Sequence, residues 1–299
     1  MPFAAPRPVT EGSRLAIVAP AGPFDEEAFR CGVSWLRQFY RVDHSPEIFS
    51  KEGFLAGSDE RRLHELTSAI ANPEIDAILC ARGGYGATRL LPGVDLAAIR
   101  AANKLLVGFS DITALHALWA NAGVYSLHAP MVASLGNASD EVQRLWKNAI
   151  EGPGSSRGWQ LSRLNPDSPN SSGRFMGGNL AVLTALNGTA YGPPLDDAIL
   201  FVEDVGERPY RVDRMLTTLS QSGWFDRING LVIGAFTDGD PGPDGVSLDE
   251  VFARWFSSAT FPVLKGLPAG HVSHNEPLPF GGLAVIDGNT LTINAQAST

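Results

Sequence analysis

A serine lies at the end of an apolar run, where it is able to act as a nucleophile. Phe109, Ser110 and Asp111 follow the run Leu105–Gly108, and a helix-like pattern begins directly after them. A serine on a strand-to-helix turn is held above the strand end, with the N–H groups of the helix amino terminus behind it. The G-x-S-x-G elbow is incomplete, because Ile112 replaces its second glycine. The alternative interpretation is that Ser110 or Asp111 only caps the helix.

A glycine-rich stretch, RGGYGATRLL, follows an earlier apolar run. If the two strands are neighbours in a parallel sheet, Gly83 and Gly84 lie at the same sheet edge as Ser110. Backbone N–H groups of the glycine turn and of Asp111 are then able to bind a developing oxyanion, which is the requirement of acyl transfer. The stretch lacks the third glycine of G-x-G-x-x-G, and no acidic residue ends the following strand, so we predict no nicotinamide cofactor and no other cofactor.

A serine nucleophile requires a general base, for which the sequence offers three histidines in suitable segments. His271 and His274 lie in GLPAGHVSHNEPLPFGG, a loop of the kind that often carries functional groups. His128 follows a strand-like stretch from which its side chain is able to reach a crevice. The spacing of His271, His274 and Glu276 also suits a metal, but HExxH and a cysteine pair are both absent, so we predict no metal site.

The base in turn requires a group that orients it, and a carboxylate at a strand end suits this role. The apolar run in AILFVEDVGE ends in Glu203 and Asp204, and Glu207 follows. A solvated strand end is the alternative interpretation. The pattern does not choose among the three carboxylates.

The elements that must position these residues fall into two domains. Residues 1–152 alternate apolar strand runs with helical patterns, which predicts an α/β domain with a doubly wound, mostly parallel sheet and helices on both faces. Residues 153–172 are rich in Gly, Pro, Ser and Asn and are predicted to be a linker. Residues 173–299 are predicted to form a smaller, β-rich domain with one clear helix after Pro209 and a hairpin around residues 287–289.

Composition limits the classes of function. The chain has 299 residues, a net charge of −9 and a pI near 5.1, which argue against a nucleic-acid partner. No run is long enough for a membrane span, and the amino-terminal residues lack the pattern of a signal peptide, so we expect a cytoplasmic protein. Cys31 and Cys80 lie in apolar segments, and we expect both to be buried.

Taken together, several segments resemble the serine LD-carboxypeptidases, the muramoyltetrapeptide carboxypeptidases, with the microcin C self-immunity hydrolases as a branch. The resemblance covers most of the chain and depends on the order and spacing of its motifs. These are APAGP, ARGGYGATRLL, GFSDITAL, HAPM, GGNL, VEDVGERPYRVDRML and GHVSHNEPLPFG.

The resemblance implies a Ser–Glu–His triad of Ser110, Glu203 and His271, with the backbone N–H groups of Gly84 and Asp111 as oxyanion donors. Gly83, His128 and Asn179, in matching motifs, are candidate substrate-binding residues. The implied reaction releases terminal D-alanine from murein tetrapeptide, after diaminopimelate or lysine, during peptidoglycan recycling by a cytoplasmic homodimer without a metal.

Two departures from the family pattern are visible. Ala129 stands where the family commonly has glycine after the histidine of HGPM. His274 is a second histidine near His271 and is the alternative base.

Three other functions are compatible with the sequence. A microcin C-type hydrolase would cleave peptidyl or aminoacyl nucleotide analogues, and Trp159 is the candidate for stacking on the base. A non-catalytic, two-domain ligand-binding protein would need no triad. A general esterase would act on simple esters.

Overall fold

The computed structural model describes Phe3, Ala4, Arg7, residues 9–152 and residues 156–294. The strands, in chain order, are β1 (Arg14–Val18), β2 (Arg41–Asp43), β3 (Ala77–Cys80), β4 (Leu105–Gly108), β5 (Ser126–His128), β6 (Arg157–Gln160), β7 (Ser162–Arg163), β8 (Ser171–Asn179), β9 (Ala198–Val205), β10 (Ile228–Thr237), β11 (Val263–Lys265), β12 (Leu278–Phe280), β13 (Leu283–Asp287) and β14 (Thr290–Asn294). The α-helices are α1 (Glu26–Leu36), α2 (Asp59–Ala71), α3 (Leu96–Ala102), α4 (Thr113–Asn121), α5 (Val132–Leu135), α6 (Asp140–Glu151), α7 (Leu180–Leu186), α8 (Pro209–Gln221) and α9 (Leu248–Phe256).

The chain divides into two compact units. The first unit comprises the chain up to residue 153 together with residues 276–281, and the second unit comprises residues 154–275 and the chain from residue 282. The segment 276–281 belongs to the first unit because β12 pairs antiparallel with β5. Its sequence alone gives no sign of this, since the strand is short and its partner lies about 150 residues earlier.

The sheet of the first unit has the strand order β12-β5-β4-β3-β1-β2. All neighbours except β12 and β5 are parallel. Strands β3 and β4 are buried along their whole length, as expected for apolar runs in a parallel sheet covered on both faces. This confirms the predicted α/β class with a mostly parallel sheet.

The sheet of the second unit has the order β6-β14-β13-β8-β9-β10-β11-β7. The central strands from β8 to β11 run parallel, and the outer ones are antiparallel. The apolar faces of α7, α8 and α9 pack against β9 and β10 in one core cluster. The predicted hairpin closes between Asp287 and Thr290, and the predicted helix begins at Pro209.

The predicted linker of residues 153–172 is wrong in part. Residues 153–155 lie outside the described residues, but β6 pairs with β14, β7 pairs with β11, and β8 already begins at Ser171. Edge strands this short show no clear alternation of apolar residues, and for that reason the composition suggested a linker.

Cys80 is buried in β3, whereas Cys31 is exposed on α1. The buried stripe of α1 runs through Phe29, Gly32, Val33 and Leu36, so position 31 points away from it. Among the described residues, no helix combines the length and the apolar character that a membrane span requires.

A fully buried arginine holds the loops at the carboxyl edge of the first sheet. Arg62 of α2 is 0% exposed, and its Nη1 donates to the carbonyl oxygens of Pro20, after β1, and Gly86, after β3. Its Nη2 bonds to Asp59. Removal of this guanidinium leaves two buried carbonyl groups without these partners.

We therefore expect Arg62→Met to lower the free energy of unfolding by about 3 kcal/mol in a urea titration. Arg89→Met is the matched control, because Arg89 pairs with the same Asp59 but is exposed on the surface. The control should change stability far less. Equal effects of the two substitutions would show that the buried carbonyl contacts contribute nothing.

Candidate active site

The backbone at Ser110 has a conformation that residues other than glycine seldom adopt. Its φ is +64°, in the left-handed region, between the extended residue Phe109 and the helical Asp111. A 3-10 turn, Ser110–Ile112, then leads directly into α4. Such strain at a strand-to-helix turn is typical of functional positions and is the geometry of a nucleophile elbow.

The glycine loop lies against this serine. β3 pairs parallel with β4, so the loops that follow the two strands meet at the same edge, as predicted. A Cβ atom on Gly83 would lie 2.9 Å from the Cβ of Ser110 and 3.2 Å from its Oγ. Only glycine leaves this space open. Gly84 follows with φ +107°, which also favours glycine.

The interpretation of Ser110 or Asp111 as a helix cap is wrong. Neither the 3-10 turn nor α4 has a side-chain cap. The carboxylate of Asp111 instead accepts a hydrogen bond from the backbone N–H of Ala87 at 2.8 Å and so fixes the glycine loop. Burial raises the pKa of Asp111 to about 6, although hydrogen bonds from the backbone of Ala87 and Gly86 and the charge of Arg62 oppose this rise.

The strand end before the serine is held by two donors. The carbonyl oxygen of Gly108 accepts from the N–H of Ala129 at 3.1 Å and from Nε2 of His116 at 2.9 Å. Burial lowers the pKa of His116 to about 4, so this ring is neutral near pH 7. No motif of the sequence indicates this contact between His116 and the strand.

His128 does not have the accessible position that the sequence suggested. Its ring is 0% exposed and packs edge-on to Phe109, with centroids 5.6 Å apart. The ring of Phe280 in β12 lies at the same centroid distance. His128 therefore packs beneath the serine turn.

A histidine and a buried carboxylate form a pair in the second unit. Nδ1 of His271 donates to Oε2 of Glu203 at 2.8 Å. Glu203 is 0% exposed near the end of β9, whereas the side chain of His271 is 21% exposed. Burial alone would lower the pKa of His271, but the hydrogen bond and charge of Glu203, with the charge of Asp204, outweigh burial and raise it.

Gly270 makes this pair possible. Its φ is +122°, and a Cβ atom there would lie 2.7 Å from Oε2 of Glu203. Its N–H donates to Oδ1 of Asn275 at 3.0 Å, which anchors the turn that presents His271. The GH dipeptide was the available sequence signal, because a glycine before a candidate histidine permits close backbone approach.

The other two carboxylates have different partners. Asp204 accepts from Nδ2 of Asn179 at 2.8 Å and from the N–H of Ala181 at 2.9 Å, and burial is the main cause that raises its pKa to about 6. Glu207 pairs with Arg211. Asn179 also caps α7 by accepting from Val182. The hydrogen bond to His271 thus distinguishes Glu203 among the three carboxylates, and it favours His271 over His274 as the base.

The candidate residues therefore form two constellations. Ser110, Gly83, Gly84 and Asp111 share one sheet edge of the first unit. Glu203 and His271 are joined in the second. Among the described residues, no group of three or more His, Cys, Asp or Glu side chains is arranged to hold a metal ion.

Comparison with known proteins identifies the family. The LD-carboxypeptidase N-terminal domain matches residues 15–129, and the LD-carboxypeptidase C-terminal domain matches residues 172–286. The chain belongs to the LD-carboxypeptidase family. It is accordingly a hydrolase of the carboxypeptidase type, and the resemblance inferred from its motifs is confirmed.

Relatives of this LD-carboxypeptidase family member match over nearly their whole length. The murein tetrapeptide carboxypeptidase of Pseudomonas aeruginosa is 31% identical, over 93% of this chain and 94% of the relative. The crystal structure of muramoyltetrapeptide carboxypeptidase from Oxalobacter formigenes is 31% identical, with a TM-score of 0.84 over 94% of this chain and 99% of that one. The microcin C7 self-immunity protein MccF, in complex with aspartyl sulfamoyl adenosine, has the same fold at 22% identity, with a TM-score of 0.87 over 97% and 98% of the two chains.

The His271–Glu203 contact predicts how the imidazole of this LD-carboxypeptidase family member titrates. The wild-type pKa of His271 should lie above the ordinary value of 6.5. Glu203→Gln removes the charge that raises the pKa but leaves the burial that lowers it, so the pKa should fall below 6.5. The measurement is NMR of the imidazole C2 proton against pH, with the resonance assigned by its loss in His271→Gln.

Asp196→Asn is the control. Asp196 is an exposed carboxylate that pairs with Arg227 before the start of β9, and its removal should leave the titration of His271 unchanged. A His271 pKa that does not move in Glu203→Gln would contradict the coupling.

Proposed function

We propose that the chain is a serine LD-carboxypeptidase that releases terminal D-alanine from murein tetrapeptide, a step of peptidoglycan recycling in the cytoplasm. The observation that carries the proposal is the 2.8 Å hydrogen bond from His271 to the buried carboxylate of Glu203. The left-handed turn at Ser110 supports it from the other unit. The relatives from P. aeruginosa and O. formigenes, which are murein tetrapeptide carboxypeptidases, support the substrate class.

In the proposed mechanism, Oγ of Ser110 attacks the carbonyl carbon that precedes D-alanine. His271 accepts the hydroxyl proton at Nε2, the nitrogen that carries the lone pair when Nδ1–H is bonded to Glu203. The carboxylate of Glu203 keeps this tautomer and stabilises the imidazolium that forms. The N–H groups of Gly84 and Asp111 donate to the oxyanion of the tetrahedral intermediate.

Collapse of the intermediate breaks the amide bond. The imidazolium of His271 gives its proton to the departing nitrogen, and D-alanine leaves as the free amino acid. Water then attacks the acyl-enzyme and passes one proton to the same imidazole. Release of the peptide carboxyl group returns the proton to Oγ of Ser110, so the cycle restores every group that it uses.

The remaining candidates have supporting roles in the proposal. Gly83 has no side chain, so the backbone of the glycine loop lies close to Ser110 and the space beside Oγ stays open for the substrate. His128 packs under the serine turn, and Asn179 holds Asp204 beside Glu203. The resemblance also implies a homodimer, which is part of the proposal. Sedimentation equilibrium measures the mass in solution and so tests it directly.

The microcin-type alternative has less support. Trp159, its candidate for base stacking, lies on the edge strand β6, four strands from β9 in the sheet order and thus about 19 Å away at ordinary strand spacing. Arg157 already lies over its ring at 5.3 Å. An assay with aminoacyl sulfamoyl adenosine separates this alternative from D-alanine release. A ligand-binding protein without catalysis would have no use for the His271–Glu203 pair, and p-nitrophenyl ester turnover alone would indicate an esterase.

Ser110→Ala should reduce D-alanine release from murein tetrapeptide by about 10⁴-fold or more, because the nucleophile is lost. Adding His271→Ala to this variant should reduce the rate little further, since members of a triad act as a unit. The measurement is mass spectrometry of tetrapeptide incubated with each variant.

Ser68→Ala is the control for loss of a hydroxyl group, because Ser68 is exposed on α2 of the same unit. It should retain the wild-type rate. More than about a tenth of wild-type turnover in Ser110→Ala would refute the assignment of the nucleophile, since that is far above the expected loss.

A further inference from the structure

Two cationic side chains line one pocket of the first unit. Arg82 directly precedes the glycine loop, and Lys51 lies in the segment between β2 and α2. The pocket measures about 560 Å³, and its wall also contains Asp25, Phe24 and Phe49. We call it the basic pocket. Its volume lies within the range of sites that bind small ligands.

Neither cation has an acidic partner among the described residues. Nη1 of Arg82 donates to the carbonyl oxygen of Pro23 at 2.6 Å, which leaves the other guanidinium donors available to a ligand. Lys51 forms no hydrogen bond or ion pair within the described part of the chain. Elsewhere in the same unit, the arginines that bond to a carboxylate are Arg14, Arg30, Arg61, Arg62 and Arg89.

Asp25 does not neutralise the pocket. One oxygen of its carboxylate accepts from the N–H of Ala28 and caps α1. The three charged side chains of the pocket therefore sum to one positive charge, in a chain whose net charge is −9. An anion that enters relieves the repulsion between the two cations, and the planar guanidinium group is well suited to bind a carboxylate.

The basic pocket is adjacent to the candidate nucleophile but separate from it. Nη1 of Arg82 lies 3.7 Å from the position of a Cβ atom on Gly84. The preceding residue, Gly83, lies against Ser110, since a Cβ atom on Gly83 would be 2.9 Å from the Cβ of Ser110. Among the described residues, neither Ser110 nor the two glycines line the pocket. A ligand group in the pocket thus lies near Ser110 but does not contact it.

We propose that the basic pocket binds a side-chain carboxylate of the peptide substrate. This inference rests on the proposed function. The carboxylate of the terminal D-alanine lies within about 4 Å of the attacked carbon by standard covalent geometry, too close to occupy a pocket that Ser110 does not line. Phe24 and Phe49 provide an apolar wall for an aliphatic chain that ends in the carboxylate.

Murein peptides offer two such carboxylates. One is at the end of the diaminopimelate side chain, and lysine lacks it. The other is the α-carboxylate of the γ-linked glutamate, which amidation removes. Arg82 and Lys51 recognise the same chemistry in either case, so the experiment compares three tetrapeptides: the diaminopimelate peptide, the lysine peptide, and the diaminopimelate peptide with amidated glutamate.

Binding is measured by calorimetry in the inactive Ser110→Ala background, with and without Lys51→Gln or Arg82→Gln. The complete peptide should bind about three- to tenfold more tightly than the peptide that lacks the recognised carboxylate. This preference should disappear in Lys51→Gln and in Arg82→Gln. One of the peptides should bind equally well with and without the substitutions. The carboxylate that this peptide lacks is the one that Lys51 and Arg82 recognise.

Arg144→Gln on α6 is the matched control, because it removes an exposed positive charge outside the pocket. It should leave the preference intact. Arg82 also donates to Pro23, so Arg82→Gln is a risk to folding. If that variant fails to fold, Arg82→Lys tests the same contact, because lysine keeps the positive charge but lacks the paired donors of the guanidinium group. Lys51→Gln breaks no hydrogen bond of the described structure.

The lysine peptide and the peptide with amidated glutamate each lack one carboxylate. The proposal is overturned if the affinity of both peptides falls below that of the complete peptide by the same factor with and without Lys51 and Arg82. It is likewise overturned if the Ser110→Ala variant binds no peptide. A fourth peptide, with an amidated terminal D-alanine, tests the remaining carboxylate. The proposal is also overturned if this is the peptide whose binding no longer responds to Lys51→Gln and Arg82→Gln. Failure of the proposed function is a separate result, since it appears as D-alanine release that is absent in wild type or persists in Ser110→Ala.

Discussion

A carboxylate without access to water raises the free energy of the folded state unless hydrogen bonds or a positive charge compensate it. Glu203 is in this position, with one oxygen bonded to Nδ1 of His271 and Oε1 without a hydrogen-bond partner among the described residues. An imidazolium at 271 supplies the charge that the neutral ring does not. The pair is therefore better stabilised when His271 carries a proton, which is the state that acyl transfer requires of its base after the attack.

The first unit contains a comparable constraint in its backbone. A left-handed serine costs roughly 1 kcal/mol or more, and it persists only where its surroundings hold it in place. On one side, Ala129 and His116 hold the carbonyl of Gly108. On the other side, the carboxylate of Asp111 is bonded to Ala87. The strained residue thus lies between two fixed ends and keeps its conformation without a ligand.

Much of this fold could be predicted, because its central strands are continuous apolar runs. β3, β4 and β9 are buried over nearly their whole length, and sequences of this kind form few other structures. The short edge strands β6 and β7 have no such signal and were mistaken for a linker. Partners over 100 residues apart, such as β12 with β5, also leave no local trace.

The site shows the same division. Ser110 and the glycine loop could be paired from topology, since the carboxyl ends of adjacent parallel strands share one edge. The choice of Glu203 over Asp204 depends on side-chain direction, because successive residues of a strand point to opposite faces. Periodicity shows that the directions alternate but not which face carries the histidine. His128 was misjudged because its burial depends on Phe280, a residue distant in sequence.

Asp111 and Asp204 show how both units fix the residue next to a candidate catalytic group. Each carboxylate immediately follows that group, is nearly inaccessible, and accepts backbone N–H groups of a neighbouring segment. Burial raises the pKa of each from 3.8 to about 6, so the folded state holds these protons more tightly than the unfolded chain. Their contribution to stability is largest below pH 4 and is lost as the pH rises through 6. At neutral pH both are charged at a cost to folding, and in return Asp111 holds the glycine loop in place and Asp204 holds the amino terminus of α7. The position of these segments matters more for a site of this kind than the last few kcal/mol of stability.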